Sequence, residues 1–530
     1  KTCLFVSKPH YDIAIRSLFS HVHITFGAWC PNGRRSTSAH DIQDYAEEQR
    51  EATKRRNARI RGEILQHIRR TPRFTTIIKQ MSVLAYAAGE PSELSELGCL
   101  EEALTMLRSL RGFAWYGSNP PPPPSIIERL REASSHSNAL VDSMRPGPLP
   151  RLTSLAFLQR HHPRRPITED STAAAMTSIR ALITTNATTL RSLCVYGDIL
   201  LDLDVSSFKH LTELSIVNPR TLPNFTAIFE QCTAIRSFTL CDKARYDDQE
   251  DVTYEHWSND EFTDVVRAHP GAFPHLTSLK LMGAWFWADQ MEAVAAFLRD
   301  KASLRRLDLM NDKWTRWDGD GIVDDWCPLL EILSGFAHLE VLGFDMRGAH
   351  LTADDMRCLE RYIPRWVTAL LVTVFAESSK AQVEDWRRLI TGLDSLRYLH
   401  ILSVYGQERP AIEDILSSSP LPSLELFGYN QNMHWVSSKD SDAGAVELGE
   451  RWPYPRVQFR TRDDFGCEDW EWLLRHHGED NEDVFCEWGS FLLQPLLTPH
   501  DGRDMGEVED PRWSGLVSHP GPRHANLVSV

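Results

Sequence analysis

One short pattern recurs along this 530-residue chain and limits the possible folds more than any other feature. An apolar residue, usually leucine, is followed by two polar residues, a second apolar residue, one variable residue and a third apolar residue. The copies are MLRSLRGFAW (106–115), LPRLTSLAF (149–157), LRSLCV (190–195), LTELSI (211–216), IRSFTL (235–240), LTSLKL (276–281), LRRLDL (304–309), LEVLGF (339–344), WVTALLV (366–372), LRYLHI (396–401) and LPSLEL (421–426). From position 276 onward the copies start about 28 residues apart, close to the spacing of leucine-rich repeats.

The repeat spacing predicts one strand and one helix per repeat. In each copy the leucines should point into a core, and the residues between them should point to the opposite face of a sheet. Amphipathic segments at 259–270, 288–301, 352–364 and 382–393 separate the copies, and Thr352 with Asp355 is typical of a helix N-terminus. The expected fold is therefore an α/β leucine-rich-repeat solenoid, a horseshoe.

The residues between the leucines supply a candidate surface for binding a protein substrate. In a horseshoe these positions lie on the concave face of the sheet. The candidates are Ser192, Glu213, Ser237, Lys280, Arg306, Asp308, Tyr398 and His400. The alternative for each is an ordinary solvated strand position. Nothing in the spacing names the substrate, because such surfaces follow no general code.

The rest of the chain divides by composition into four further parts. Residues 38–71 form an amphipathic basic helix that leads into an irregular repeat array at 72–460. Residues 461–495 should form a capping helical region, with Trp470, Leu473 and Leu474 on one face. Residues 496–530 are rich in proline, glycine and aspartate, which predicts a mobile tail. The first part, residues 1–27, is treated below.

Charge and cysteine usage exclude several classes of protein. The formal net charge of −16 disfavours nucleic-acid binding, since nucleic acids attract basic surfaces. No apolar run reaches the length of about 18 residues that a membrane-spanning helix needs, so no membrane partner is expected. Ten cysteines lie scattered, without paired spacing, as in reduced intracellular proteins. The expected location is the cytoplasm or nucleus.

Motifs for catalysis are missing from the sequence. It contains no GxSxG, HExxH, GxxxxGK[ST] or GxGxxG segment, and the adjacent histidines at 476–477 lie in a polar stretch. The aspartates of DGDGIVDD resemble part of a calcium loop, but Arg316 and Cys327 occupy its first and twelfth positions. We therefore expect no enzyme, cofactor or metal. A calcium-dependent enzyme built on residues 311–326 is the third hypothesis considered.

The opening stretch TCLFVSKPHYDIAIRSLFSHVHI resembles the second half of an F-box. Tyr11 stands at the usual aromatic position of that motif. The other matching residues are Leu4, Val6, Ser7, Lys8, Ala14, Leu18, Phe19 and Val22. Together with the repeats, the chain is similar over about residues 3–430 to the F-box/leucine-rich-repeat proteins that are abundant in fungi.

This resemblance implies a non-catalytic, substrate-recruiting subunit of a Skp–cullin–F-box ubiquitin ligase. A small helical segment would bind a Skp-type adaptor, and the repeats would hold a protein substrate for degradation. The first half of the motif, a helix that begins with Leu-Pro, would precede Lys1, so adaptor binding is expected only if that half exists. The alternative is a leucine-rich-repeat scaffold for protein binding with no link to ubiquitin.

Overall fold

The computed structural model describes residues 8–27, 40–86, 91–119, 121–135, 152–158, 169–200, 202–217, 219, 222, 224–241, 259–284, 288–311, 323–345, 352–375, 383–404, 423–429, 432–438, 446–452, 465–475 and 477. Within these residues the chain forms one sheet of fifteen strands, and their order in space follows their order in the sequence.

The strands and helices alternate through most of the chain. The strands are β1 (His21–Gly27), β2 (Gln80–Tyr86), β3 (Gly112–Asn119), β4 (Ser154–Leu158), β5 (Ser192–Tyr196), β6 (Glu213–Val217), β7 (Ser237–Cys241), β8 (Ser278–Ala284), β9 (Arg306–Asn311), β10 (Val341–Asp345), β11 (Ala369–Phe375), β12 (Tyr398–Val404), β13 (Leu426–Tyr429), β14 (Asn432–Ser438) and β15 (Val446–Arg451). The helices are α1 (Lys8–Leu18), α2 (His40–Arg70), α3 (Pro72–Thr75), α4 (Pro91–Met106), α5 (Pro124–Ser135), α6 (Glu169–Asn186), α7 (Gly197–Leu200), α8 (Phe225–Gln231), α9 (Asn259–Ala268), α10 (Ala288–Leu298), α11 (Val323–Leu333), α12 (Ala353–Tyr362), α13 (Val383–Thr391) and α14 (Glu468–Leu474).

The register of the parallel strands explains the leucine pattern. Each strand from β1 to β12 pairs in parallel with the next, for example Leu307 of β9 opposite Leu342 of β10. Both leucines belong to the core shared with the helices, whereas Asp308 and Val341 point to the other face. We call these two faces the helix side and the open face. Strand–helix repeats on a parallel sheet confirm an architecture of the leucine-rich-repeat type.

The helix side holds one continuous apolar core that extends from β1 to β13. Phenylalanines fill part of it, since the rings of Phe229 and Phe273 lie 4.6 Å apart and Phe238 packs beside both. All four helices predicted from the amphipathic segments are present. The capping box of α12 is also confirmed: Thr352 Oγ1 accepts from the Asp355 amide, and the Asp355 carboxylate accepts from the Thr352 amide.

The N-terminal segment belongs partly to this sheet. Val22, one of the F-box-like positions, lies in β1 and is buried in the helix-side core, so the sheet begins before residue 72. The basic helix expected at 38–71 is α2. Its Arg61 is buried, donates to the Thr25 carbonyl, pairs with Glu96 and lies over the ring of Phe26.

Helix α1 leaves apolar side chains in solvent. Ile13, Leu18 and Phe19 are 68%, 54% and 40% exposed. Leu4, Val6 and Ser7 lie outside the described residues, while Lys8 and Tyr11 fall within α1. The F-box-like organisation of residues 1–27 therefore stays a prediction.

The parallel array ends in an antiparallel sheet of three strands. β13 pairs antiparallel with β14, and β14 with β15. This change of direction was not expected from the sequence, because the leucine pattern stops at β13. It places Trp435 and Trp452 beside each other, with ring centroids 5.2 Å apart, next to the open face.

Candidate functional site on the open face

A distant part of the chain covers the open face between β8 and β13. This C-terminal segment consists of residues 465–475 and 477 and includes α14, which packs on β10 and β11. Its apolar side chains form a second buried cluster with open-face residues of β10–β13, among them Leu371 and Tyr398. The open face in this region is therefore covered by a distant segment of the same chain.

A buried charge cluster anchors the end of α14. Lys280 and Asp308, neighbours on β8 and β9, form an ion pair of 2.7 Å between Nζ and Oδ2, and both are almost completely buried. Lys280 Nζ also donates to the backbone carbonyls of Leu473 (2.9 Å) and Arg475 (2.8 Å). His477 Nε2 lies 2.8 Å from Asp308 Oδ2. Carbonyls at a helix C-terminus lack intrahelical donors, so Lys280 supplies what α14 needs there.

The protonation states of this cluster follow from burial and charge. Burial acts to raise the pKa of Asp308, but the charges of His477 and Lys280 and their hydrogen bonds outweigh it and lower that pKa to about 2. Burial lowers the pKa of Lys280, and the Asp308 carboxylate offsets part of this effect. Asp308 is therefore ionised at neutral pH and can hold Lys280 and His477 together.

The start of α14 is acidic and lies against two arginines. Arg306 on β9 lies 2.6 Å from Asp469 and 3.2 Å from Glu468, and Arg305 pairs with Asp469 and with Glu340. Arg306 is largely buried, and Asp469 is half-buried. The charges of the segment and of the strands beneath it are thus complementary, which fixes the direction of α14 on the sheet.

Two tryptophans of α14 occupy different sides of the helix. Trp470 packs against Tyr398, with centroids 5.5 Å apart, and against Trp435 at 6.4 Å. Trp472 lies on the other side, where Lys280 Nζ is 4.7 Å from its ring centroid and Arg306 is 5.7 Å away. Aromatic and cation–π contacts of this kind add to the burial of the rings.

Glycines make room for the buried polar side chains. Gly343 lies beside Asp308 on the neighbouring strand, and a Cβ atom there would collide with that carboxylate and lie 3.0 Å from Leu473 Cδ1. Gly428 has the same relation to His400, whose Nδ1 lies 2.8 Å from the Tyr398 hydroxyl. The two glycines therefore allow the neighbouring strand and the C-terminal segment to approach closely.

The structure changes the interpretation of the predicted substrate surface. Four of the proposed solvent-facing positions are buried. Lys280, Asp308 and Tyr398 contact the C-terminal segment, and His400 lies beside Tyr398 and Gly428. Arg306 is engaged with that segment as well. Ser192, Glu213 and Ser237 lie on the open face of β5–β7 and keep partial or full exposure. The eight positions thus form two groups on one face rather than one solvated surface.

Several important residues of this site were absent from the predicted set. Arg305 lies within the copy at 304–309, at a position not assigned to the concave face, whereas Asp469 and His477 follow the last copy. The helix that carries Asp469 packs on the open face. One sequence signal could have pointed there. Gly343 and Gly428 interrupt strands, and a glycine inside a strand often marks the close approach of another group.

Among the described residues, no group of three or more histidines, cysteines, aspartates or glutamates is placed to hold a metal ion. In the same part of the chain, no helix combines the length and apolarity required to span a bilayer. The aspartate-rich loop considered for calcium lies mainly outside the described residues.

Comparisons with known proteins show similarity at low identity. No family model matches the chain, and no curated protein matches it. Among solved structures, a Bacteroides fragilis protein is 12% identical with a TM-score of 0.30, and the match covers 46% of this chain and 66% of that one. The leucine-rich-repeat-containing protein LegL7 from Legionella pneumophila is 12% identical over 68% of this chain and 96% of its own, with a TM-score of 0.34. A chain of the Rad7–Elc1 complex from yeast is 11% identical over 68% and 72%, with a TM-score of 0.35. The fold assignment rests on the strand order and register described above.

Proposed function

We propose that this protein is a non-catalytic repeat scaffold that binds other proteins on the open face of its sheet. The observation that supports this most directly is the C-terminal segment itself. The open face already holds a helix through backbone carbonyls, acidic side chains and tryptophans, which are groups that any protein partner also offers.

The exposed part of the open face lies next to this occupied part. Ser192, Glu213 and Ser237 follow one another across β5, β6 and β7 in direct register. A partner bound along this row would meet β8 and the edge of the C-terminal segment. The row is therefore the place at which partner contact should be tested first.

A charge substitution on this row tests the proposal. We expect Ser192→Arg, Glu213→Lys and Ser237→Arg together to reduce the capture of specific partners from cell extract about ten-fold or more, because three new cations disrupt a matched surface. The readout is quantitative mass spectrometry of proteins retained by the full chain.

The matched control produces the same change in net charge as the open-face triple, but on the helix side. It combines Glu292→Lys and Ala296→Arg on α10 with Ala302→Arg in the following turn, all at exposed positions. Partner capture that survives the open-face triple, or that falls equally in both triples, would exclude the row of Ser192, Glu213 and Ser237 as the binding surface.

A finer role, recruitment of substrates to a Skp–cullin–F-box ubiquitin ligase in the cytoplasm or nucleus, has one specific support. The F-box-like sequence includes α1, where Ile13 and Leu18 are exposed, and Phe19, which directly follows the helix and is 40% exposed beside Phe74. A helical adaptor of the Skp type would bury such side chains. The expected result is co-purification of the natural full-length protein with that adaptor.

The matched variants for this test lie on the same helix. Ile13→Glu with Leu18→Glu should abolish adaptor binding, whereas Arg16→Glu with Ser17→Glu, also exposed, should weaken it less. Absence of any adaptor from the purified full-length protein would reject the ligase role and leave the scaffold function in place.

A further inference from the structure

The C-terminal segment packs on the sheet as a bound helix would and does not form a further strand–helix repeat within the described residues. It follows the parallel array and the antiparallel strands, and it contributes no strand to the sheet within the described residues. Its hydrogen bonds to β8 and β9 reach back 162 to 195 positions, from Glu468 to Arg306 and from Arg475 to Lys280. The chain connects this segment to its site covalently. The position of the segment on the sheet, however, is determined by its noncovalent contacts with β8 and β9.

The site recognises three features of this segment. Arg305 and Arg306 select acidic residues at its start. The aromatic surface around Tyr398 accepts Trp470. Lys280 binds carbonyls at the end of the helix, beneath Trp472.

Each feature depends on a charge or shape already built into the strands. Lys280 and Asp308 pair with each other on neighbouring strands, and Gly343 leaves the space above β10 that Leu473 fills. The open face between β8 and β13 therefore resembles a receptor groove. It has a cationic end at Arg305 and Arg306, an aromatic pocket at Tyr398, and Lys280 as a hydrogen-bond donor to backbone carbonyls.

We propose that this groove is a receptor for short helices of the sequence type acid–acid–Trp–x–Trp–Leu–Leu, and that residues 465–477 are its resident, displaceable ligand. A partner protein with such an acidic, aromatic helix exchanges with the resident segment. The inference rests on the proposed binding function of the open face and specifies the chemistry of the partner.

The first experiment vacates the groove in the full chain and supplies the ligand separately. The variant Trp470→Ala/Trp472→Ala weakens the resident segment, and the probe is a fluorescent synthetic peptide of residues 465–477. Fluorescence anisotropy should show the peptide binding this variant about ten-fold or more tightly than the wild type, where the resident copy competes. A peptide with both tryptophans replaced by alanine should not bind.

A charge exchange identifies the groove as the binding site. In the vacated variant, Arg305→Glu with Arg306→Glu should weaken the native peptide about ten-fold, and a peptide carrying Glu468→Lys and Asp469→Lys should restore binding. The control is Arg236→Glu, which reverses one arginine charge at the position equivalent to Arg305 two strands away. Recovery with the exchanged pair cannot come from a general loss of folding.

The results that would overturn the receptor proposal differ from those that would overturn the scaffold function. A vacated variant with native circular dichroism that does not bind the peptide, or a loss of binding that Arg236→Glu reproduces, rejects the receptor. If the peptide does not bind but partner capture by the wild type still depends on Ser192, Glu213 and Ser237, the scaffold function stands and only the receptor proposal is rejected. Should Trp470→Ala/Trp472→Ala not fold, Glu468→Lys/Asp469→Lys in the full chain replaces it, with the same peptide and the same expected binding.

Discussion

The helix side and the open face of the sheet are both buried around β9–β12, but different parts of the chain bury them. Leu370 and Leu371 are consecutive residues of β11, and neither is exposed to solvent. Leu370 belongs to the core formed with the helices of neighbouring repeats, whereas Leu371 belongs to the cluster that contains Trp470 and Leu473. Burial on the helix side is thus produced by adjacent repeats, and burial on the open face depends on one distant segment.

The largest expected effect comes from removing the buried carboxylate of the open face. Asp308→Ala leaves the Lys280 ammonium buried without its counter-charge, and such losses cost about 3–5 kcal/mol. We expect a corresponding fall in the free energy of unfolding, measured by urea denaturation of the full chain. Replacing both partners, in Lys280→Met/Asp308→Leu, should recover only part of the loss, because His477 and the carbonyls of Leu473 and Arg475 then lack these hydrogen-bond partners. Asp264→Ala on the exposed side of α9 is the control and should change little; an equal effect of both alanine variants would contradict the buried pair.

Substitutions at the adjacent residues Leu370 and Leu371 should affect the two faces of the sheet differently. Leu370→Ala should lower the stability of the repeat array by about 2–5 kcal/mol, the usual cost of a cavity in a core. Leu371→Ala should instead loosen the C-terminal segment, seen as faster amide hydrogen exchange at 468–474 while the exchange of β11 stays slow. If Leu371→Ala raised exchange throughout the array, the segment would be an inseparable part of the core.

Acid should reduce the stability of the contacts on the open face over a pH range that is set by the pKa of Asp308. Its pKa is lowered from 3.8 to about 2, so its stabilising contribution is complete above the unfolded value and is lost as the pH falls through about 4 to 2. The shift corresponds to about 2 kcal/mol. The difference in unfolding free energy between wild type and Asp308→Asn should shrink by this amount between pH 5 and pH 2. A difference that stays constant across this range would show that folding does not lower the pKa of Asp308.

The smallest expected effect concerns the close approach at Gly343. Gly343→Ala places a Cβ atom against the Asp308 carboxylate and Leu473, and overpacking of this kind costs about 1–3 kcal/mol. The loss should appear as faster hydrogen exchange of α14. Gly62→Ala in α2 is a matched control, because no atom lies within 4 Å of its added Cβ and alanine favours helix by up to about 1 kcal/mol. Slower exchange of α14 in Gly343→Ala would contradict the packing.

The helix side was predictable because its information is local. Leu304, Leu307 and Leu309 repeat with the spacing of a strand, and every later copy adds the same evidence for a parallel array. The helix caps are also local, as Thr352 and Asp355 are three residues apart. The antiparallel strands β14 and β15 were not predicted, since they lie after the last copy of the pattern.

The site on the open face could not be predicted in the same way. Lys280 and Asp308 occupy positions that the pattern leaves variable, and their solvent exposure depends on residues more than 160 positions away. Periodicity carries no information about such a contact. His477 illustrates the point, because in the sequence it belongs to a polar stretch and in the structure it is buried against Asp308.

The distance along the chain between Lys280 and its acceptors also has a consequence for biosynthesis. Leu473 follows Lys280 by 193 residues. At about 5–20 residues per second, a ribosome needs roughly 10–40 s to make that stretch. During this interval the part of the groove formed by β8 and β9 can fold while no resident helix exists, and all groove strands are present for the last 44 residues, from Tyr429 to Leu473. A partner present at the ribosome would meet the groove before its competitor has been synthesised, so the order of synthesis can decide which helix occupies it first.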